Sequence, residues 1–283
     1  MRPTRGRIAL ALTLIWAAPA AAQAPNVFEN GMVNAASFVP VGQPGHPTAP
    51  GSIVSIFGTN FASGLSQAMT VPLSTSLGGV SVTFNGTVPA PLFAVSPGQI
   101  NAQLPAGLTG TSATIVVTNA AGGSASRTIQ IAPASPAIYT ANLQGTGQGI
   151  VVFATEPTVF AAVPTMQIPA CPPPAGVALC ARPARAGDFL TIYANGLGAV
   201  EPAVADGAAA PGAEPLARTR QQPVVTLGGV DCPLLFSGLV PNLVGLYQVN
   251  IQVPPGVTPG NAVPLRIAVG EATSPATVTI AIQ

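Results

Sequence analysis

Residues 248–256 read QVNIQVPPG, and residues 99–107 read QINAQLPAG. In both stretches amides take every second position: Gln99, Asn101 and Gln103 in one, Gln248, Asn250 and Gln252 in the other. The residues between and after them, Ile100, Ala102 and Leu104 or Val249, Ile251 and Val253, are apolar, and Pro105 or Pro254 then ends the run. A period of two belongs to a β-strand, whose side chains alternate between its faces. Each stretch therefore predicts a strand with an apolar face toward a core and a row of three amides on the other side. Because the stretches are near copies, the same strand is expected twice.

Working outward, the rest of the chain repeats in the same order. Residues 51–62, GSIVSIFGTNFA, match 187–198, GDFLTIYANGLG; residues 82–93, VTFNGTVPAPLF, match 225–236, VTLGGVDCPLLF, without a gap. Residues 113–131 match 262–282 more loosely. The offset grows from 136 to 143, 149 and about 150, as short insertions between strands would make it. Val80, Val82 and Phe84 alternate with Ser81 and Thr83, and Asn85-Gly86 follows, a dipeptide suited to the positive φ angles of a tight hairpin. Gly228-Gly229 holds that place in the second copy. No stretch beyond residue 22 carries a sustained 3.6-residue apolar period. The reading is all-β, with two tandem β-sandwich modules over 23–134 and 135–283, divided near Ser135. Residues 150–154 read as a short strand, and the Pro-rich stretch 164–183 as an irregular, cysteine-containing loop.

The blocks NAASF (34–38), PGSIVSIFGTN (50–60), SPGQINAQLP (96–105), TIYANGLGAV (191–200), PLARTR (215–220) and GLYQVNIQVPPG (245–256) carry a family resemblance. Together they resemble the uncharacterised C-terminal domain family of Solibacter-type bacteria, from about Asn34 to Gln283. Each copy is also similar to immunoglobulin-like modules of the IPT/TIG type, through the strand–FNG–strand pattern. The resemblance implies exported proteins and a sandwich fold. It brings no shared catalytic residues.

The N-terminus reads as a secretory leader. Arg2, Arg5 and Arg7 precede the apolar run 8–18, and Ala20-Ala21-Ala22 offers small residues for cleavage before Gln23. Export to the periplasm, the cell surface or the medium is expected, with no membrane span after cleavage. Without the leader, six arginines face eight carboxylates, a net charge near −2, and Trp16, the one tryptophan, is gone. Charged residues are 6% of the chain and lysine is absent. Nucleic acid is excluded as a main partner, because phosphate contacts need clustered cations and only Arg218 and Arg220 lie close together.

The chain is poor in catalytic groups. His46, in QPGHPTAP, is the only histidine and reads as an exposed loop residue. No G-x-S-x-G accompanies it, and one histidine with three scattered cysteines does not make a zinc site. Glu201 and Asp206 are the nearest carboxylates, in a segment that reads as a solvated loop; a glycosidase pair or a calcium ligand set would need more than this spacing. Gly145-x-Gly147-x-Gly149 precedes a strand, whereas a phosphate cradle follows one, so it reads as a flexible connector. No catalytic residue, metal ligand or cofactor is expected.

Among the cysteines, Cys171 and Cys180 share one loop and are expected to pair, leaving Cys232 free. A Cys180–Cys232 bridge is the rival. Cys232 aligns with Pro89 of the first copy and reads as a small buried filler. Three functions fit: an exported non-catalytic structural or binding module whose partner is a surface protein or polysaccharide; a polysaccharide-binding accessory or carbohydrate-active enzyme; or a subunit of a surface appendage joined at strand edges. The amide rows, Gln99, Asn101 and Gln103 with Gln248, Asn250 and Gln252, are the candidate contact faces. Sugar-binding faces usually set such amides beside aromatic platforms, and aromatics are few here.

Overall fold

The computed structural model describes residues 23–40, 42–43 and 46–283. The expected leader, residues 1–22, lies outside the described residues. Every regular element described is a strand. The first half holds β1 (Asn26–Asn34), β2 (Ile53–Thr59), β3 (Val80–Phe84), β4 (Leu92–Val95), β5 (Gln99–Gln103), β6 (Ser112–Asn119) and β7 (Arg127–Gln130). One sheet runs β1–β2–β5–β4; the other sets β6 between β3 and β7. The second half holds β8 (Ala137–Ile138), β9 (Val151–Phe153), β10 (Glu156–Ala161), β11 (Cys180–Arg182), β12 (Phe189–Asn195), β13 (Val224–Leu227), β14 (Leu234–Leu239), β15 (Tyr247–Gln252), β16 (Gly260–Val269) and β17 (Val278–Ile282). Its larger sheet runs β11–β10–β9–β12–β15–β14, with β8 also on β12; its smaller one runs β17–β16–β13.

The trio β2–β5–β4 recurs as β12–β15–β14, and β3–β6–β7 as β13–β16–β17. Each pair of sheets closes on its own core. Ile56, Phe61, Phe84, Leu92, Ile100 and Ile115 are fully buried in the first; Leu190, Ile192, Leu227, Val249, Ile251 and Ile280 in the second. Burying each such side chain stabilises by about 1.5–3 kcal/mol relative to leaving it in water. The second half adds β10, β11 and the segment between them, which has no counterpart in the first.

The structure corrects the ungapped match of 82–93 with 225–236. In the first copy Phe84 pairs with Val88 across a turn of three residues, with Asn85 and Gly86 at φ 48° and 76°. In the second, Leu227 pairs with Val230 across Gly228-Gly229 alone, at φ 60° and 85°. The second hairpin is one residue shorter, so the copies slip by one position after the turn. The residue whose amide bonds back to the preceding strand is Ala90 (to Val82) in the first copy and Cys232 (to Val225) in the second. Cys232 therefore replaces Ala90, not Pro89. Pro91 and Pro233 likewise correspond: their carbonyls accept from Gln103 and Gln252.

Two loop expectations also change. Gly145–Gly149 is not a free connector. Gly147–Gln148 pairs in parallel with β17, and a side chain at Gly145 would collide with the Ser37 backbone. The stretch 164–183 is only partly irregular, since Cys180–Arg182 forms β11, parallel to β10. Cys171 and Cys180 are bonded, which folds this stretch back on itself, and Cys232 is free and buried.

Candidate functional site

The two amide rows meet different surroundings. On β5, Asn101 Oδ1 accepts from Gln99 Nε2 at 2.8 Å and from Ser55 Oγ at 3.1 Å. Gln103 is buried; its Nε2 donates to the Gly51 carbonyl and its Oε1 accepts from Gly207 N at 2.6 Å. Gly207 belongs to the second half, so this row ends in a contact between the two halves. Beside it, Asp206 Oδ1 accepts from Ala106 N at 2.9 Å.

Two asparagines buried at the joint complete it. Asn195, at the end of β12, accepts from Ile53 N at 3.0 Å and donates to Ile53 O at 2.7 Å, so one side-chain amide pairs with both polar groups of a backbone residue in β2. Its Nδ2 also donates to Asn34 Oδ1, and Asn34 Nδ2 donates to the Ser135 carbonyl. A buried polar group left without a partner costs about 1–3 kcal/mol, so these bonds hold the joint closed. Gly196 follows at φ 71°, pressed against the Ser135 carbonyl, where no Cβ fits.

A cleft of about 480 Å³ opens at this joint, lined by Pro50, Ala106, Leu108, Pro133, Val204 and Leu239 among others. Its polar rim is already engaged. Arg220 pairs with Glu201 at 2.7 Å, and the buried Tyr247 hydroxyl donates to Gly198 O at 2.6 Å. Burial holds that phenol well above the usual tyrosine range.

The β15 row lies on a face where aromatic rings gather. Across the strands, Gln248 stands opposite Tyr193, Asn250 opposite Thr191, and Gln252 opposite Phe189. On the other side Asn250 faces Phe236 and Gln248 faces Gly238. A Cβ on Gly238 would come within 2.9 Å of the tip of the Phe236 ring, so that ring lies over the glycine. Beyond Thr191 the row continues through Val152 to Phe160. Beyond Tyr193 it continues to Tyr139, whose amide donates to the Tyr193 carbonyl at 3.1 Å. Five of the thirteen Phe and Tyr residues thus share one sheet face, against the expectation that aromatics are too few to form a platform. Phe189 is 46% exposed, and the other four rings are half-buried.

Charge on this face is balanced. The Arg218 guanidinium lies 4.9 Å from the Phe236 ring centre and pairs with Glu214 at 2.8 Å. The Leu216 amide and the Arg218 side chain both hold the Glu214 carboxyl below its usual range. Gln252 Nε2 donates to the Gly187 carbonyl, as Gln103 does to Gly51. Asn250 Oδ1 is shielded from water and has no donor among the described residues. Its counterpart Asn101 Oδ1 has two.

The remaining candidates are placed apart. His46 is not exposed, as expected of a loop histidine, but 8% accessible: the chain beside it is pinned where Thr48 bridges to Ile131, and its ring faces the Val39 carbonyl at 3.5 Å. Glu201 and Asp206 are engaged separately, one with Arg220 and one with Ala106 N. No cluster of three or more His, Cys, Asp or Glu that could hold a metal occurs among the described residues. Burial, with the Asp231 charge adding to it, pushes the Cys232 thiol up to about 11. No helix among the described residues is long and apolar enough to cross a membrane.

An IPT/TIG domain matches over residues 38–131. No curated protein matches the chain. Among solved structures, it is similar to SGBP-B from a complex xyloglucan utilization locus in Bacteroides uniformis, at 14% identity over 90% of this chain and 49% of that one, TM-score 0.24. It is also similar to the SGBP-B of a mixed-linkage glucan utilization locus in Bacteroides ovatus, in complex with a mixed-linkage heptasaccharide, at 11% identity over 85% and 45%, TM-score 0.29. The I9–I11 tandem of titin is matched at 12% identity over 92% and 67%, TM-score 0.21. The chain spans about half the length of the two SGBP-B structures. Scores this low carry no weight for a ligand or a mechanism.

Proposed function

We propose that this chain is a non-catalytic recognition protein that works outside the cytoplasm and makes contact through the outer face of its second module. The observation that carries this reading is the convergence of Tyr139, Tyr193, Phe189, Phe160 and Phe236 with Gln248, Asn250 and Gln252 on one sheet face, where Phe189 is exposed and the other rings are partly so. Rings that a protein needs only for stability belong in its core, and each core here is complete without these five. Gln248, set among partly exposed rings, gives this face a polar group beside its aromatic ones, a surface prepared for contact. The first module, by contrast, serves as the base on which the second is held.

Three further features support the setting. A leader over residues 1–22, cleaved before Gln23, would deliver the chain across a membrane. The Cys171–Cys180 bond suits an oxidising compartment, where disulfides persist. The IPT/TIG match over 38–131, with the wider resemblance from Asn34 to Gln283 to exported proteins of Solibacter-type bacteria, agrees with a role at or beyond the envelope. In this reading residues 23–134 and 135–283 are the two modules, divided at Ser135.

Capture tests it. The full chain, immobilised, is challenged with envelope and medium fractions from the native cell, beside a Phe189→Ala, Phe236→Ala double variant. Material retained by the wild type and lost from the folded variant is expected. Equal retention by both would move the contact surface elsewhere, and an enzymatic activity abolished by one substitution would overturn the reading.

A further inference from the structure

We infer that the aromatic face of the second module takes a neutral polysaccharide chain. This rests on the reading of that face as the contact surface and adds the chemistry of what it contacts.

A pyranose ring presents flat patches of C–H on its faces and hydroxyls around its edge. The flat patches pack on aromatic rings. The hydroxyls are both donors and acceptors, and so are side-chain amides. On this face the two kinds of group alternate. Tyr139 and Tyr193 are neighbours on adjacent strands, Gln248 comes next, and the Phe236 ring lies over Gly238 beyond it. The row crosses four strands, roughly 14 Å at about 4.8 Å per strand. That is longer than one sugar ring, so a chain is the fitting ligand.

Charge and composition favour this occupant. Arg218, the cation beside the Phe236 ring, is already paired with Glu214. A docking protein would be expected to cover a contiguous apolar centre; here Gln248 and Asn250 interrupt the rings. Asn250 Oδ1, without a donor among the described residues, adds an unsatisfied acceptor to this face.

Affinity electrophoresis tests the inference. The full chain is run through gels containing a soluble β-glucan, an α-glucan, a galactomannan or, as the acidic control, polygalacturonate. Retardation by at least one neutral polymer and not by polygalacturonate is expected. Phe236→Ala and Gln248→Ala should each weaken it about tenfold, Phe236→Tyr should retain it, and Met69→Ser, on an exposed loop of the first module, should leave it unchanged. Thermal melting of each variant separates lost binding from lost folding. If the envelope capture succeeds while no neutral polymer retards the protein, the polysaccharide assignment fails and the contact surface stands; if neither binds, both fall. Undiminished retardation of folded Phe236→Ala and Gln248→Ala proteins would place the sugar elsewhere and overturn the assignment to this face.

Discussion

The amide rows on β5 and β15 occupy matching positions of a repeated strand and end in opposite situations. On β5 the side chains are taken up: Asn101 by Gln99 and Ser55, Gln103 by Gly51 and the incoming Gly207. On β15, Gln252 keeps the bond its counterpart makes to a glycine carbonyl, while Asn250 Oδ1 has no donor among the described residues. The neighbours differ as much as the bonds. Where the second module places Phe189 and Phe236, the first has Ile53 and Ala94 at the same cross-strand positions. A repeated strand preserves its pairing, and its role is then decided by what stands across from it. One copy ends its row in a contact with the other half, and the other ends it among aromatic rings.

The largest expected effect breaks the comparison at the joint. Asn195 aligns with Thr59, which is exposed. Asn195→Ala should lower stability by about 2–4 kcal/mol, because both polar groups of Ile53 lose this partner in a buried place, and Thr59→Ala should change it by less than about 0.5 kcal/mol. Denaturant midpoints at constant m-value read both. Equal effects would mean that the modules are not locked through this amide.

Next comes the segment that the first module lacks. Replacing Cys171 and Cys180 together by serine should destabilise by about 2–3 kcal/mol in the chain-entropy treatment of a loop this short. Calorimetry of the oxidised and doubly substituted proteins checks it. If the loss falls on a transition belonging to the first module, the assignment of this segment to the second is wrong.

Smaller effects concern Cys232. Only its thiolate reacts, and a pKa raised to about 11 keeps the thiolate scarce below that pH. Labelling by a thiol reagent near pH 7.5 should therefore be slow in the folded protein, accelerate as pH rises toward 11, and become rapid in denaturant. Fast stoichiometric labelling of the native chain would contradict the burial. Smallest of all, Cys232→Ala should cost about 1 kcal/mol or less, since the first module is built with Ala90 at that place. Equilibrium unfolding gives the number, and a much larger loss would show that the two hairpins are not interchangeable.

Much of the fold was legible in the sequence because strands write a period of two. Val80 to Phe84, Gln99 to Gln103 and Tyr247 to Gln252 are strands where the alternation predicts them, and Asn85-Gly86 and Gly228-Gly229 turn where their φ angles permit. The single residue missing from the second turn was hidden, because an ungapped match stays plausible through Leu92 with Leu235 and Phe93 with Phe236 while the pairing has slipped. The site was less legible. Tyr139, Phe160 and Phe236 come from three separate segments and Phe189 and Tyr193 from a fourth, β12, and only the register across the sheet brings them together. Asn34 and Asn195 lie in the blocks NAASF and TIYANGLGAV, but nothing in either block says that they meet, and their partnership spans 161 positions. His46 looked exposed because its neighbours are loop residues, but a loop crossing a sandwich end can be sealed by the strand it bridges.

The way Asn195 engages Ile53 has a polarity. The side-chain amide lies on one module and the backbone that it both donates to and accepts from lies on the other, so the contact runs head to tail and does not close on itself. The positions of the second module that match Ile53 and Gln103 are Phe189 and Gln252, at the rim of its aromatic face. Applied once more, the same operation would set a third module there. A tandem series grown by this rule would hide each face in turn as it lengthened and keep a single uncovered one at its leading end. In such a series the reach from an anchor would scale with the number of repeats, while the valency would stay at one.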